Sequence, residues 1–176
     1  MSDFTPIIHT STYALEQYSF YVNAYLVETA GGVVAIDAGC TISAAREMRR
    51  QIEEDIGKPL VAVLLTHGHP DHYAGLGTLV DGASLEIYST RGALDFAVSE
   101  DVTKAELAAA MFGDDWPNQR AFPTRVVGDG ETVDFDGVGF TVIDMGPGES
   151  ASASIWHVEI DGVRHAFIGD IIYNNM

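Results

Sequence analysis

Four side chains of types that commonly bind metal ions lie in the stretch THGHPDHYAG, which runs from Thr66 to Gly75. They are His67, His69, Asp71 and His72. Because residues two apart point the same way in extended backbone, the first two imidazoles can face one space. Asp71 and His72 begin the next turn, at the start of a helix, where the chain reverses and directs them back toward that space. Imidazole and carboxylate ligands together suit a borderline divalent ion such as zinc, so the cluster predicts a metal site.

The alternative is a polar surface loop that contains histidines by chance. Three histidines and an aspartate at this spacing, directly after an apolar run, disfavour that interpretation. Gly68, Gly75 and Gly77 support the metal site, since glycine permits the tight backbone that such a loop needs. Shared between two ions, the four side chains supply only two ligands to each, so further ligands must come from distant segments.

The composition favours one domain and argues against several classes of partner. The chain has 176 residues, 47% of them apolar, which is enough for a single substantial core. A net charge of −17 repels phosphate backbones and anionic membrane surfaces, so we expect neither nucleic acid nor a membrane as partner. A single cysteine, Cys40, excludes an internal disulfide and cysteine-based zinc motifs. No long apolar segment or secretory signal is visible, which favours a cytoplasmic protein.

The cluster follows the apolar run LVAVLLT, Leu60 to Thr66, whose lack of alternation predicts a strand buried on both faces. Strands and helices alternate early in the chain and hairpins dominate later, a mixture that suits sheets with helices packed outside them. The other predicted elements are two strands joined at Gly31-Gly32, a helix from Thr41 or Ser43 to Gly57, a strand at 85–90, a helix at 91–112, and hairpins around Asp136-Gly137 and Asp161-Gly162.

The stretch THGHPDHYAG resembles the H-x-H-x-D-H signature of the metallo-β-lactamase-fold hydrolases, and the resemblance covers nearly the whole chain. VVAIDAG is similar to the family's strand that ends in an aspartate, here Asp37, and VAVLLT to the strand that delivers the signature loop. HAFIGD is similar to the strand that ends in the metal-bridging aspartate, here Asp170. The resemblance implies an α/β (α+β) fold, a four-layer αββα sandwich with the metals at one edge of the paired sheets.

The resemblance also implies a ligand set for two zinc ions. It assigns His67 and His69 to the first metal, Asp71 and His72 to the second, and Asp170 to the bridge between them. Asp37 is expected to orient the histidine loop through hydrogen bonds rather than to bind metal directly.

The chain departs from the family pattern at two places. Where the family usually has its third histidine, in TVIDMGPGES, this chain has Glu149. Either a glutamate oxygen makes the site harder, favouring iron or manganese, or Glu149 only hydrogen-bonds to a ligand. The family's final histidine lies well downstream of the bridging aspartate, but six residues follow Asp170 here. We therefore expect a single domain, 1–176, without its last strands and helix, and a homo-oligomer could cover the sheet edge left open.

The remaining candidates have weaker support. His157 and His165 are expected on a strand face, His9 has no partner nearby in sequence, and Cys40 is expected as a small buried hydrophobe. Two aromatic residues in MFGDDWPNQRAFP, Phe112 and Trp116, suit either a loop that lines a substrate pocket or a helix end packed on the core.

The resemblance implies a metal-dependent hydrolase of a small molecule. The metals would lower the pKa of a bound water and supply hydroxide for attack on an ester, thioester, lactone or amide carbonyl, with Asp71 as the catalytic group that orients this nucleophile. One alternative is an iron-dependent oxidoreductase of the same fold, which Glu149 favours. Another is a truncated, non-catalytic metal-binding domain. β-Lactamase activity is disfavoured because no secretory signal is visible, and fold resemblance does not supply the substrate.

Overall fold

The described residues, 4–15 and 20–172 of a computed structural model, form two β-sheets with helices packed on the first. The first sheet contains β1 (Ile7–Leu15), β2 (Phe20–Glu28), β3 (Val33–Ile36), β4 (Leu60–Leu64), β5 (Glu86–Ser89) and β6 (Arg125–Val126), in that order. The second contains β7 (Thr132–Phe135), β8 (Val138–Gly146), β9 (Ala153–Ile160) and β10 (Val163–Phe167). Strands β1 to β3 and the whole second sheet pair antiparallel, whereas β3 to β6 pair parallel.

Four α-helices of the described chain connect or flank these strands. They are α1 (Ile42–Arg50), α2 (Pro70–Tyr73), α3 (Leu76–Val80) and α4 (Arg91–Phe112). The hydroxyl of Thr41 caps α1, and a π-helical turn, Gln51–Ile56, continues it to Gly57 at φ 73°. The predicted start and stop of this helix are therefore confirmed, as is the predicted helix at 91–112. No helix in the part of the chain that the structure describes has both the length and the hydropathy needed to cross a membrane.

Two apolar clusters form the core on the two faces of the first sheet. The cluster between the helices and this sheet includes Met48, Leu76, Leu79 and Ala97. The cluster between the two sheets includes Ile36, Leu64, Phe140 and Trp156. Strands β3 and β4 are buried on both faces, as the unbroken apolar run of β4 predicted. The described residues thus make a helix layer and two sheet layers, three of the four layers that the resemblance implies.

Three elements were not predicted from the sequence: β1, α3 and β6. The strand β1 lies at an edge of the first sheet and pairs only with β2, from Ile7 opposite Glu28 to Leu15 opposite Phe20. Its middle, HTST, is polar, so it lacks the apolar pattern of a core strand. The last residues of the predicted domain, 173–176, lie outside the described residues.

Candidate metal centre

The two sheets are joined by hydrogen bonds at the point where β4 ends and the signature loop begins. The backbone oxygen of Thr66 accepts from both the backbone nitrogen and the hydroxyl of Ser154, over 2.9 Å and 2.7 Å. The indole of Trp156 donates to the oxygen of Leu65 over 3.0 Å. Since Ser154 and Trp156 belong to β9, these bonds fix the loop to both sheets.

Asp37, directly after β3, holds the two ends of the signature loop together. Its Oδ1 accepts from the backbone nitrogen of Thr66, and its Oδ2 accepts from the Thr66 hydroxyl, each over 2.8 Å. The same Oδ2 lies 2.8 Å from Nδ1 of His72. Asp37 is buried and has a φ of 62°. The prediction that Asp37 orients the histidine loop through hydrogen bonds is confirmed.

Glycine at position 68 allows the loop to lie directly against α4. A Cβ there would stand 2.4 Å from the nitrogen of Ala97 and 2.7 Å from the oxygen of Ala93. A Cβ at Gly75 would stand 2.2 Å from the backbone oxygen of Ala38, and a Cβ at Gly77 would stand 2.3 Å from that of Gln119. These glycines are thus required by close backbone approach and not by a positive φ, which none of the three has.

Six side chains converge into two groups that could each hold a metal ion. The first group is His67, His69, Glu149 and Asp170, and the second is Asp71, His72 and Asp170. Within each group, one nitrogen or oxygen of every member lies within 4.8 Å of those of the others. Asp170 belongs to both groups. The structure therefore brings together all the residues that the sequence singled out as ligands, from the signature loop, the loop after β8 and the segment after β10.

The first group is built around a buried imidazole. Nε2 of His67 lies 3.2 Å from Nδ1 of His69 and 3.9 Å from Oε2 of Glu149. The same glutamate oxygen lies 3.2 Å from Nδ1 of His69. Burial, together with the charge of His72, lowers the pKa of His67 to about 4. Its ring is therefore neutral at physiological pH, which is the form that binds metal.

In the second group, the imidazole of His72 lies beside the two carboxylates of the group, and Asp37, outside the group, contacts its other nitrogen. Nε2 of His72 lies 3.2 Å from Oδ1 of Asp170 and 3.5 Å from Oδ2 of Asp71. Burial alone would lower the pKa of His72, but the charge of Asp37 and contacts with Asp170 and Asp71 outweigh it and hold that pKa well above its ordinary value. In the metal-free chain, the protonated ring of His72 therefore supplies the positive charge that balances these carboxylates.

The carboxylates of the second group stay ionised. Burial would raise the pKa of Asp71, yet its contact with His72 lowers it to about 2. For Asp170, burial is likewise outweighed by contact with His72, and the pKa lies below its ordinary value. Buried negative charge at this sheet edge favours a bound cation.

The sequence profile of the metallo-beta-lactamase superfamily matches residues 18–176. The chain belongs to this superfamily.

Sequence and structure relatives agree with that assignment. A linear primary-alkylsulfatase of Pseudomonas sp is 40% identical over 65 residues, which are 32% of this chain and 10% of that protein. An (R)-specific secondary-alkylsulfatase of Pseudomonas sp is 30% identical over 86 residues, 46% of this chain and 13% of that protein. The solved metallo-beta-lactamase of Cronobacter sakazakii superposes with a TM-score of 0.67 at 20% identity, over 93% of this chain and 64% of that one.

These comparisons establish a metallo-beta-lactamase fold, with two sheets and helices as in the solved neighbours. The chain spans about a tenth of the length of the alkylsulfatases that it matches and under two thirds of the solved chain. The superfamily fold brings the H-x-H-x-D-H loop and Asp170 to the same sheet edge here.

The two aromatic residues considered either as pocket-lining residues or as a helix end packed on the core are stacked on each other. The rings of Phe112 and Trp116 lie 6.1 Å apart at 17°. Trp116 is buried and packs with Cys40, while Phe112 is half-buried beside them. This placement follows the second interpretation, a helix end packed on the core, and a substrate contact for either residue stays a prediction.

The other candidates have structural surroundings that account for them. Burial raises the pKa of the Cys40 thiol to about 12, in keeping with a small buried hydrophobe. His157 and His165 lie on β9 and β10, and His9 contacts Glu28 at 3.2 Å. None of these histidines belongs to either ligand group within the described chain.

Sequence reasoning missed Phe96, which forms an apolar wall beside the first group. Its ring meets the ring of His69 edge-on, with centroids 5.2 Å apart. The contact is possible because α4 lies against Gly68 of the loop at Ala93 and Ala97, on either side of Phe96 in sequence. No local spacing encodes this crossing, although the Ala-rich composition of α4, which permits close helix packing, was a partial signal.

Proposed function

We propose that this chain is a metal-dependent hydrolase that holds two divalent ions and acts on a small molecule. The observation that carries the proposal is the position of Asp170 in both ligand groups, because a shared carboxylate can hold two ions as a pair. Divalent ions held here would lower the pKa of a coordinated water toward neutrality and so supply hydroxide at physiological pH. The expected substrates contain an ester, thioester, lactone or amide carbonyl.

The donor set fits such ions. Nε2 of His72 is buried, makes no well-aligned hydrogen bond within the described residues, and faces Asp71 and Asp170, so a metal ion bound there would displace the proton that the ring carries in the free chain. Its Nδ1 contacts Asp37, the arrangement that commonly fixes the tautomer of a metal-binding histidine. Nitrogen and oxygen donors in this proportion suit zinc, which we expect as the resident ion.

The chain's own catalytic group would be Asp71. Its low pKa keeps the carboxylate ionised at neutral pH, so Oδ1 or Oδ2 can accept a hydrogen bond from the attacking water and orient it. As the water attacks, the same carboxylate would take up its proton and would give it to the leaving group when that bond breaks. Burial of His67 and His72 beneath the site keeps the imidazoles in one orientation throughout.

The relatives extend the range of substrates to be tested. Since two of them are alkylsulfatases, we add alkyl sulfate esters to the carbonyl esters. The net charge of −17 supports a small molecule rather than nucleic acid as substrate.

A second candidate function is iron-dependent redox chemistry, which Glu149 favours. Its Oε2 lies 3.2 Å from His69 and provides a carboxylate oxygen where an imidazole is usual in the family. Harder oxygen ligands favour iron or manganese over zinc. Iron as the dominant metal of the purified protein would support an oxidoreductase in place of a hydrolase.

Elemental analysis of the purified chain, with zinc, iron and manganese counted per molecule, tests the proposal. We expect close to two ions in the parent chain and in a control that lacks two distant histidines, H157A/H165A. The double variant H67A/H69A should retain its circular dichroism spectrum but lose tightly bound metal. Unchanged metal content in H67A/H69A would refute the assigned site, and a parent chain without metal would refute a dinuclear centre in these 176 residues.

Hydrolysis assays then follow on the metal-loaded parent chain. We expect turnover of at least one of four probes: p-nitrophenyl acetate, a short acyl thioester, a lactone and an alkyl sulfate. The variant D71N should lose most of this activity. Loaded protein that turns over none of the four would contradict the hydrolase and direct attention to redox chemistry.

A further inference from the structure

A groove of about 460 Å³ lies between α1, α3 and the loop after α4, and none of the proposed metal ligands lines it. Asp115, at the start of this loop, binds the backbone nitrogen and hydroxyl of Ser43 over 2.8 Å and 2.6 Å. On the opposite side, Gly77 of α3 touches the backbone oxygen of Gln119 so closely that a Cβ would stand 2.3 Å from it. Contacts at both ends thus fix the walls of the groove.

Two arginines line this groove although the chain as a whole is strongly acidic. Arg46 and Arg49 line it, and Asp81 is the only carboxylate among the described residues that line it. Asp81 already contacts Nη1 of Arg49 at 2.9 Å. Arg46 is exposed and makes no ion pair or hydrogen bond with any residue that the structure describes. One guanidinium is therefore available to a ligand in a chain with 26 acidic and nine basic residues.

Three polar side chains share the groove with Arg46. Thr78, Asn118 and Gln119 line the same groove, and their side chains make no hydrogen bond within the described residues. A hydroxyl and two amides supply donors that complement a guanidinium around an anion. Among the described lining groups, Asp81 would repel an anion; Arg49 contacts both Asp81 and Glu53, which leaves Arg46 as the guanidinium available to a ligand.

We propose that this groove binds a small oxyanion, through a phosphate, sulfate or carboxylate group that pairs with Arg46. A planar guanidinium recognises each of these groups through two parallel hydrogen bonds. The amides of Asn118 and Gln119 would bind the remaining oxygens from the opposite wall. The volume lies in the range of pockets that hold metabolite-sized ligands.

An anion in the groove would connect α1 with the loop at 117–119 and so stabilise the fold. Because it would bind only the folded chain, it should raise the melting temperature in proportion to its affinity. This site is independent of the proposed metal centre, so its test does not depend on the proposed hydrolysis.

The test is a titration of the purified chain with inorganic phosphate and, separately, with succinate, followed by NMR at the side-chain amides of Asn118 and Gln119. We expect both amides to shift in at least one titration and the melting temperature to rise. R46A should weaken binding by about ten-fold or more, the scale of one charge-assisted contact. R125A removes another exposed arginine that lies outside the groove, and it should bind like the parent.

Comparing the two anions distinguishes phosphate-type from carboxylate-type ligands. The variant Q119A tests the proposed amide contact in a second way, because it removes that amide without changing the net charge. An anion that binds at the metal centre would leave the Asn118 and Gln119 amides unmoved. Amides that do not shift with either anion up to about 50 mM would overturn the proposal. Parent-like affinity in both R46A and Q119A would overturn it as well.

Discussion

Nδ1 of His72 donates a hydrogen bond of 2.8 Å to Oδ2 of Asp37, and each of these side chains is only 3% exposed. The same carboxylate accepts two further hydrogen bonds from Thr66. The aspartate that ends β3 therefore fixes both the tautomer and the orientation of His72. Nε2 is left facing Asp71 and Asp170, where a metal ion would lie.

Replacing Asp37 by asparagine should weaken metal binding by about 10–100-fold, as expected when the partner of a ligating histidine is lost. The amide has the size of the carboxylate but lacks its charge, so Nδ1 of His72 is no longer held by an ionised acceptor. Competition with a chromophoric chelator measures the affinity. D95N, on the exposed face of α4, is the matched control. Equal affinity in D37N and D95N would contradict a role for Asp37 in the metal centre.

E149H should shift metal preference toward zinc by about ten-fold, since an imidazole replaces a hard carboxylate oxygen near His69. Zinc and manganese affinities, measured on the same preparation, give the ratio. E159H, which adds a histidine at an exposed position of β9, controls for nonspecific binding. Identical selectivity in E149H and the parent would place Glu149 outside the coordinating set.

G68A should destabilise the chain by about 1–3 kcal/mol, because the added methyl overlaps the backbone of α4 at Ala97 and Ala93. Gly148 offers a matched control in the loop that carries Glu149, since a Cβ there meets nothing within 4 Å. Urea unfolding of G68A and G148A, both metal-free, measures the difference. A loss in G148A as large as that in G68A would show that the overlap at α4 is not the cause.

The central elements of this fold could be predicted because their signals are local. The unbroken apolar run of β4 and the Asp-Gly turns at 136–137 and 161–162 identify buried strands and hairpins without reference to the rest of the chain. The edge strand β1 could not be predicted in this way. Its polar residues are stabilised by pairing with β2, which the sequence of β1 does not reveal.

The residues of the candidate site likewise differ in whether a local sequence signal identifies them. His67, His69, Asp71 and His72 could be recognised from spacing alone, whereas Glu149 and Asp170 were found only through the family resemblance. Phe96 was missed because its contact with His69 depends on where α4 crosses the loop. The glycines were recognised for an incomplete reason, since close packing rather than backbone freedom requires them.

Stability of the metal-free chain should fall as the pH decreases from 6.5 to about 4, with His67 as a principal cause. Its pKa is about 4 when folded and near 6.5 when unfolded, so the unfolded state binds more protons across this window. Its contribution is fully present above pH 6.5 and is lost as the pH falls to about 4, an effect of up to about 3 kcal/mol. His72, whose pKa is raised, acts in the opposite direction around pH 6.5, because its ring is only partly protonated there in the unfolded state, and it adds little slope below about pH 5.5.

Urea unfolding of chelator-treated protein at several pH values between 7 and 4.5 measures this slope. H67N, which removes the titrating ring, should be less stable at pH 7 but should lose less stability as the pH falls. H157N is the control. The pKa of His157 is also lowered by partial burial, but this histidine lies on β9 and belongs to neither ligand group. If the unfolding free energy of H67N falls with pH as steeply as that of the parent, while that of H157N does not change with pH, then His157 in the hairpin and not His67 causes the acid sensitivity.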